Sequence, residues 1–176
     1  ARGLAIWVNM LMDGIECKDK EEGSRYANLL TPVIKAFFSD RGFQSAIDSM
    51  QILGGHGYIK ENGLEQIARD AKILQLYEGA NGVQAFDLVT RKLPAQNLAT
   101  FDGFIDRVDE FIDKAESQPR IRGFAQTLSN AAHTVSTTGH WLADRENRGT
   151  YEPSSGSYDF LNMMGIFSCG YIWLRM

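Results

Sequence analysis

Apolar residues recur at steps of three and four along most of the chain, the spacing of one face of an α-helix. Almost nothing alternates with the period of two expected of a half-buried strand. Leu4, Ile6, Trp7, Val8, Met10, Leu11 and Ile15 predict a first helix from about Ala1 to Cys17. The charged run Lys18-Asp19-Lys20-Glu21-Glu22-Gly23 reads as a connection. Two starts are open for the second helix. Either Thr31 caps it with Pro32 at its first position, or it begins near Glu22 and Pro32 kinks it. Val33, Ile34, Phe37, Phe38, Phe43, Ala46, Ile47, Met50, Ile52 and Leu53 then keep helical spacing up to Gly54-Gly55. Gly54 to Gly63 reads as a loop, Leu64 to Leu76 as a third helix ending near Gly79, and Asn81 to Leu93 as a fourth that Pro94 stops.

The second half repeats the pattern. Leu98, Phe101, Phe104, Ile105, Val108, Phe111 and Ile112 mark one helix; Ile121, Phe124, Ala125, Leu128, Ala131, Ala132, Val135, Trp141 and Leu142 mark another. Arg148 to Ser157, rich in Gly, Ser and Pro, reads as a loop before a final helix from Tyr158 to Met176. The predicted class is all-α: an antiparallel helical bundle over 1–94 and additional helices over 95–176.

Composition narrows the partners. With 44% apolar and 23% charged residues in 176, the chain is that of a folded domain and not of a disordered tail. A net charge of −4 and scattered Lys and Arg exclude a nucleic-acid groove, which needs clustered cations. Cys17 and Cys169 lie far apart among apolar residues and read as reduced, buried thiols. No secretory leader is recognisable, so a cytoplasmic or mitochondrial-matrix protein is expected. The apolar stretch Leu161 to Met176 is interrupted by Gly165, Gly170 and Arg175 and is short of the roughly 20 residues a bilayer requires, so a packed helix is expected. That last helix lacks a capping signal, and the chain has no initiator Met; both suggest a piece of a longer protein.

The residues that suggest chemistry are concentrated in Gln51-Ile52-Leu53-Gly54-Gly55-His56-Gly57-Tyr58, then Arg69-Asp70, Tyr77-Glu78-Gly79, Gln84 and Asp87-Leu88. Clustered glycines let a backbone approach a flat or phosphorylated ligand, and they also end helices. No strand precedes these, so they are not a dinucleotide fingerprint. Glu78, at a junction between helices, is a carboxylate that can be aimed into a cleft or can cap the next helix. Arg69-Asp70 reads first as a structural ion pair holding the Glu78 segment, and Trp141 and Trp173 as core or interface anchors. The acidic run Asp106, Asp109, Glu110 and Asp113 reads as the wet face of a helix. His133 and His140 lack the further ligands a metal site needs, so no metal is expected.

Taken together, Q-x-x-G-G-x-G-Y, R-D, Y-E-G and Q-x-x-D-L in this order resemble the carboxy-terminal domain of the acyl-CoA dehydrogenases, densely from Thr31 to Leu93 and more thinly beyond Pro94. The resemblance implies an FAD-dependent α,β-dehydrogenation of an acyl-CoA thioester. In it Glu78 takes the α-proton while hydride leaves the β-carbon for the flavin, and the Glu78 N–H helps polarise the thioester carbonyl. Tyr77 and Gly79 would flank the acyl chain. Gln51, Gly54 and Gly55 would reach the ADP half of an FAD held mainly by a neighbouring subunit, and Gln84 would lie near the flavin. Electron-transfer flavoprotein as electron acceptor and a homo-oligomer follow from the same resemblance. An acyl-CoA oxidase that reduces oxygen, or a non-catalytic helical assembly module, are the alternatives. Ala80 departs from the family pattern, which often has a hydroxyl there for the flavin, and so does Gly82. The region from Gln96 resembles an extension found in a longer branch, with no chemistry assigned to it. The family's amino-terminal helical and middle β-domains have no counterpart in the chain, so this piece alone is expected to be inactive.

Overall fold

Eight α-helices and no strand build the computed structural model, which describes residues 1–176. They are α1 (Arg2–Met12), α2 (Lys20–Ile52), the single turn α3 (Gly55–Tyr58), α4 (Leu64–Ile73), α5 (Asn81–Asp87), α6 (Ala99–Glu116), α7 (Arg122–Asn147) and α8 (Glu152–Arg175). A 3-10 turn, Lys60–Asn62, joins α3 to α4, and α5 runs into a π-turn over Leu88–Lys92. The segment expected to be a loop between Gly54 and Gly63 is therefore largely two short helical turns.

Local chemistry sets the helix ends. Helix α1 stops five residues before the predicted end because Gly14 adopts a left-handed backbone (φ 78°). The Gly14 N–H donates to Leu11 O (2.9 Å) and the Ile15 N–H to Met10 O (2.9 Å), the paired bonds of a Schellman ending. Of the two starts open for α2, the earlier is found: Asp19 caps it, accepting from the Glu22 N–H at 2.8 Å, and Pro32 lies inside the helix. Helix α8 begins at Glu152 and not at Tyr158, because Pro153 sits in its first turn, where a missing N–H costs nothing. The loop before it shrinks accordingly.

One continuous apolar core runs through both halves of the chain, from Leu4 and Trp7 of α1 to Phe167, Tyr171 and Ile172 of α8. Helix α6 shows how the spacing fills it: Phe101, Phe104, Ile105, Val108, Ile112 and Ala115 are all buried, while Asp106, Asp109, Glu110 and Asp113 face water as expected. Fully buried Phe101, Phe104 and Phe160 each contribute about 1.5–3 kcal/mol. Helix α8 crosses α2 closely, since a Cβ on Gly165 would lie 2.5 Å from the Phe37 ring. Trp141 and Trp173 are not core residues: they are 45% and 78% exposed. Cys17 and Cys169 are free and half-buried. No helix is long and apolar enough to cross a membrane.

Candidate functional site

Residues 74–80, between α4 and α5, carry the candidate base. Glu78 has φ 54° and Gly79 φ 85°, so two consecutive residues are left-handed. That is routine for Gly79 and costs a residue with a Cβ about 1–2 kcal/mol. Side chains from two elements, α2 and α5, hold the turn. Lys35 Nζ donates to Gly79 O (2.7 Å) and to Asn81 Oδ1 (2.8 Å), and Gln84 Nε2 donates to Glu78 O (3.2 Å). The Asn81 N–H closes the turn on Gln75 O at 3.0 Å.

Asn81 is the buried anchor, 5% exposed. Its Nδ2 donates to Asp40 Oδ1 (2.7 Å), Ser39 Oγ (2.9 Å) and Ala36 O (3.2 Å). Asp40 Oδ1 also accepts from Gln75 Nε2 at 2.7 Å, and Oδ2 accepts from the Tyr158 hydroxyl at 2.6 Å. Burial and the adjoining Asp40 carboxylate push the Tyr158 phenol up to about 12. Every oxygen of Asp40 thus has a donor.

Glu78 itself is exposed, and its carboxylate enters none of the ion pairs of the chain. Its backbone N–H donates to no backbone carbonyl. The peptide is fixed while the two groups that chemistry would use stay free. Tyr77 is 46% exposed, and Ile73 and Leu76 before it and Val83 and Phe86 of α5 are likewise apolar and uncovered.

Gln51, Gly54 and Gly55 form a second cluster at the far end of α2, exposed to solvent. A Cβ on Gly54 or Gly55 would meet nothing within 4 Å, so these two positions present bare backbone to open space. Gly57, by contrast, lies against Met50 O, 2.3 Å from a built Cβ, which seats the glycine turn on α2. Lys35 and Gln51 are separated by about 24 Å of helix. The Glu78 turn and the glycine turn therefore share α2 but not one pocket. The Gly54 N–H and carbonyl are paired with Gln51 O and the Gly57 N–H, so the second cluster offers the Gln51 amide and the Gly55 N–H among exposed Ile52, Leu53 and Tyr58, a set that suits a flat, hydrogen-bonding group such as the ADP half of FAD.

Arg69 and Asp70 do not make the expected ion pair. Neighbours on a helix point apart, and Asp70 accepts from Gln66 Nε2 at 2.6 Å. Lys35, Asp40, Gln75 and Asn81 hold the Glu78 segment instead. Sequence reasoning passed over these four and Tyr158. The available signal was polar Lys35, Ser39 and Asp40 interrupting the apolar face of α2. His140 Nε2 lies 3.1 Å from Asp102, and His133 lines a separate shallow cleft. A surface cleft of about 820 Å³ includes Cys17, Tyr26, Arg107 and Arg175 and none of the motif residues.

Residues 4–93 match the family described as acyl-CoA dehydrogenase, C-terminal domain, and residues 104–176 match the one described as acetyl-CoA dehydrogenase C-terminal like. The chain belongs to the acyl-CoA dehydrogenase family. Its relatives include the broad-specificity linear acyl-CoA dehydrogenase of Mycobacterium tuberculosis, 29% identical over 84% of this chain and 25% of that protein. The 3-methylmercaptopropionyl-CoA dehydrogenase of Ruegeria pomeroyi is 30% identical over 97% of this chain and 30% of its own length. An acyl-CoA dehydrogenase of Bacillus subtilis is 48% identical over a shorter stretch, 28% of this chain and 13% of that protein. The chain thus spans roughly a quarter to a third of the length of these first two relatives.

Proposed function

We propose that the chain is the carboxy-terminal part of an FAD-dependent enzyme that removes hydrogen from the α and β carbons of an acyl-CoA thioester, with Glu78 as the base. The observation that carries this reading is the turn itself: Gln84 holds the Glu78 carbonyl and Lys35 the Gly79 carbonyl, while the Glu78 carboxylate and N–H remain unpaired. FAD, when bound, supplies the acceptor for the β-hydrogen as hydride. The Glu78 carboxylate takes the α-proton, and the electron pair this leaves on the α-carbon forms the carbon–carbon double bond as hydride departs from the β-carbon with its own pair. The Glu78 N–H donates to the thioester carbonyl as negative charge grows on it, which makes the α-proton acidic enough for a carboxylate to remove. Uncovered Ile73, Leu76, Tyr77, Val83 and Phe86 give the acyl chain, and the domain that covers it, an apolar wall that keeps water from the base.

Tyr77 and Gly79 flank the acyl chain. Gln51, Gly54 and Gly55 contact the ADP half of an FAD belonging to a second subunit, and their separation from Glu78 along α2 supports assigning the two clusters to two flavins. Gln84 lies near the flavin and acts here through the Glu78 carbonyl. The working form is a homo-oligomer that passes electrons to electron-transfer flavoprotein. The test is the complete protein purified and given acyl-CoA without oxygen. Yellow protein that bleaches and yields the α,β-enoyl thioester supports the reading. Colourless protein, or flavin that acyl-CoA leaves oxidised, contradicts it. Peroxide formed in step with substrate once air is admitted would identify an oxidase instead.

A further inference from the structure

The region after Pro94 reaches the Glu78 turn, and it does so through one carboxylate. Helix α8 places the Tyr158 hydroxyl 2.6 Å from Asp40 Oδ2. The other oxygen of Asp40 receives Asn81 Nδ2 and Gln75 Nε2, each at 2.7 Å. Gln75 and Asn81 stand on either side of the turn and are joined by the Asn81 N–H to Gln75 O bond, so together they form its base. From Asn81 the line continues through Lys35 Nζ to Gly79 O, the carbonyl next to Glu78. Asn81 and Ser39 are buried and Asp40 is partly buried, so the bonds at Asn81 are shielded from competing water, while the Tyr158–Asp40 and Lys35–Gly79 bonds at the two ends of the line lie at the surface.

We propose that Tyr158, acting through Asp40 and Asn81, is a positioning residue for the Glu78 base, so that the carboxy-terminal helices tune the proton abstraction carried out by the domain before them. The proposal rests on the assignment of Glu78 as base. It follows from the geometry. A residue with φ 54° returns to the right-handed region unless its surroundings prevent it, and the two residues that close the base of the turn here, Gln75 and Asn81, are bonded to Asp40. Without the Tyr158 hydroxyl, Asp40 Oδ2 loses its donor and swings towards solvent. The shared grip on Gln75 and Asn81 loosens, and the Glu78 carboxylate is less closely aimed at the α-carbon. No part of this requires Tyr158 to touch substrate or flavin.

The test compares Tyr158→Phe, Asp40→Asn and Glu78→Gln in the complete protein, following flavin bleaching by acyl-CoA in a single turnover and, separately, acyl-CoA affinity. Tyr158→Phe keeps the ring and its packing, so folding is preserved. The expected result is a bleaching rate lowered about 10-fold or more in Tyr158→Phe and in Asp40→Asn, with affinity within about twofold of the parent, since a small misplacement of a reacting group costs rate and not binding. In the Glu78→Gln background, adding Tyr158→Phe should change nothing further. If Glu78→Gln abolishes bleaching while Tyr158→Phe and Asp40→Asn both bleach at the parental rate, the positioning role is overturned and the base stands. If both lose affinity and rate in equal measure, the link is merely structural and the proposal also fails. If Glu78→Gln itself bleaches normally, the base assignment falls, and this proposal with it.

Discussion

Glu78 occupies a backbone conformation that side chains with a Cβ avoid, and the bonds around it explain how it stays there. Gly79 extends the left-handed run, at φ 85°. In Gly79→Ala the added Cβ would lie 2.7 Å from Gln84 Nε2, a flexible amide that can move, so the strain is chiefly conformational. The expected loss is about 1–2 kcal/mol of stability, read from a denaturant titration. Asn81→Ala should cost more, about 1–3 kcal/mol, because it strips a donor from Asp40 and an acceptor from Lys35 and from the buried Ser39 hydroxyl. At this scale the sequence was partly legible. Tyr77-Glu78-Gly79 stood out as a motif at a helix junction. Asp40 and Tyr158 did not, because they meet from positions far apart in the chain and each alone looks like a solvated polar residue.

At the scale of single helices, ends and wet faces follow from local chemistry. Asp19→Ala removes the cap of α2 and should cost about 1 kcal/mol. On α6, burial and then the like charges of Asp106 and Asp113 push the Asp109 carboxyl above its ordinary value. An acid raised by folding is held more readily in its protonated form, so its stabilising effect is present at low pH and is lost as pH rises through the raised value. Asp109→Asn should therefore raise the Tm at pH 7, with the gain shrinking towards pH 3. Helical periodicity made all the long helices visible beforehand. Their ends were not, where one residue decided: Gly14 cut α1 short, Asp19 won α2 from Thr31-Pro32, and Pro153 opened α8 where a loop was expected.

Across the whole molecule, Glu16 ties the two halves together. Its carboxylate accepts from Arg175 Nη2 (2.7 Å) and Trp7 Nε1 (3.0 Å), while its carbonyl accepts from Arg107. The Arg175 hydrogen bond, assisted by that of Trp7, holds the Glu16 carboxyl below its ordinary 4.5. Stability from this clasp is present above that value and is lost as pH falls through the lower, folded one. The Tm difference between the parent protein and Glu16→Gln should therefore be clear at pH 7 and disappear in the acid range below 4.5. Such a tertiary link was invisible in sequence, because nothing local marks Glu16 as the partner of a residue at the other end of the chain. The central claim, that Glu78 is the base, is tested most directly by Glu78→Gln in the complete protein. Flavin should remain bound with an unaltered spectrum while its bleaching by acyl-CoA slows by about 10⁴-fold or more; bleaching at the parental rate would contradict the account.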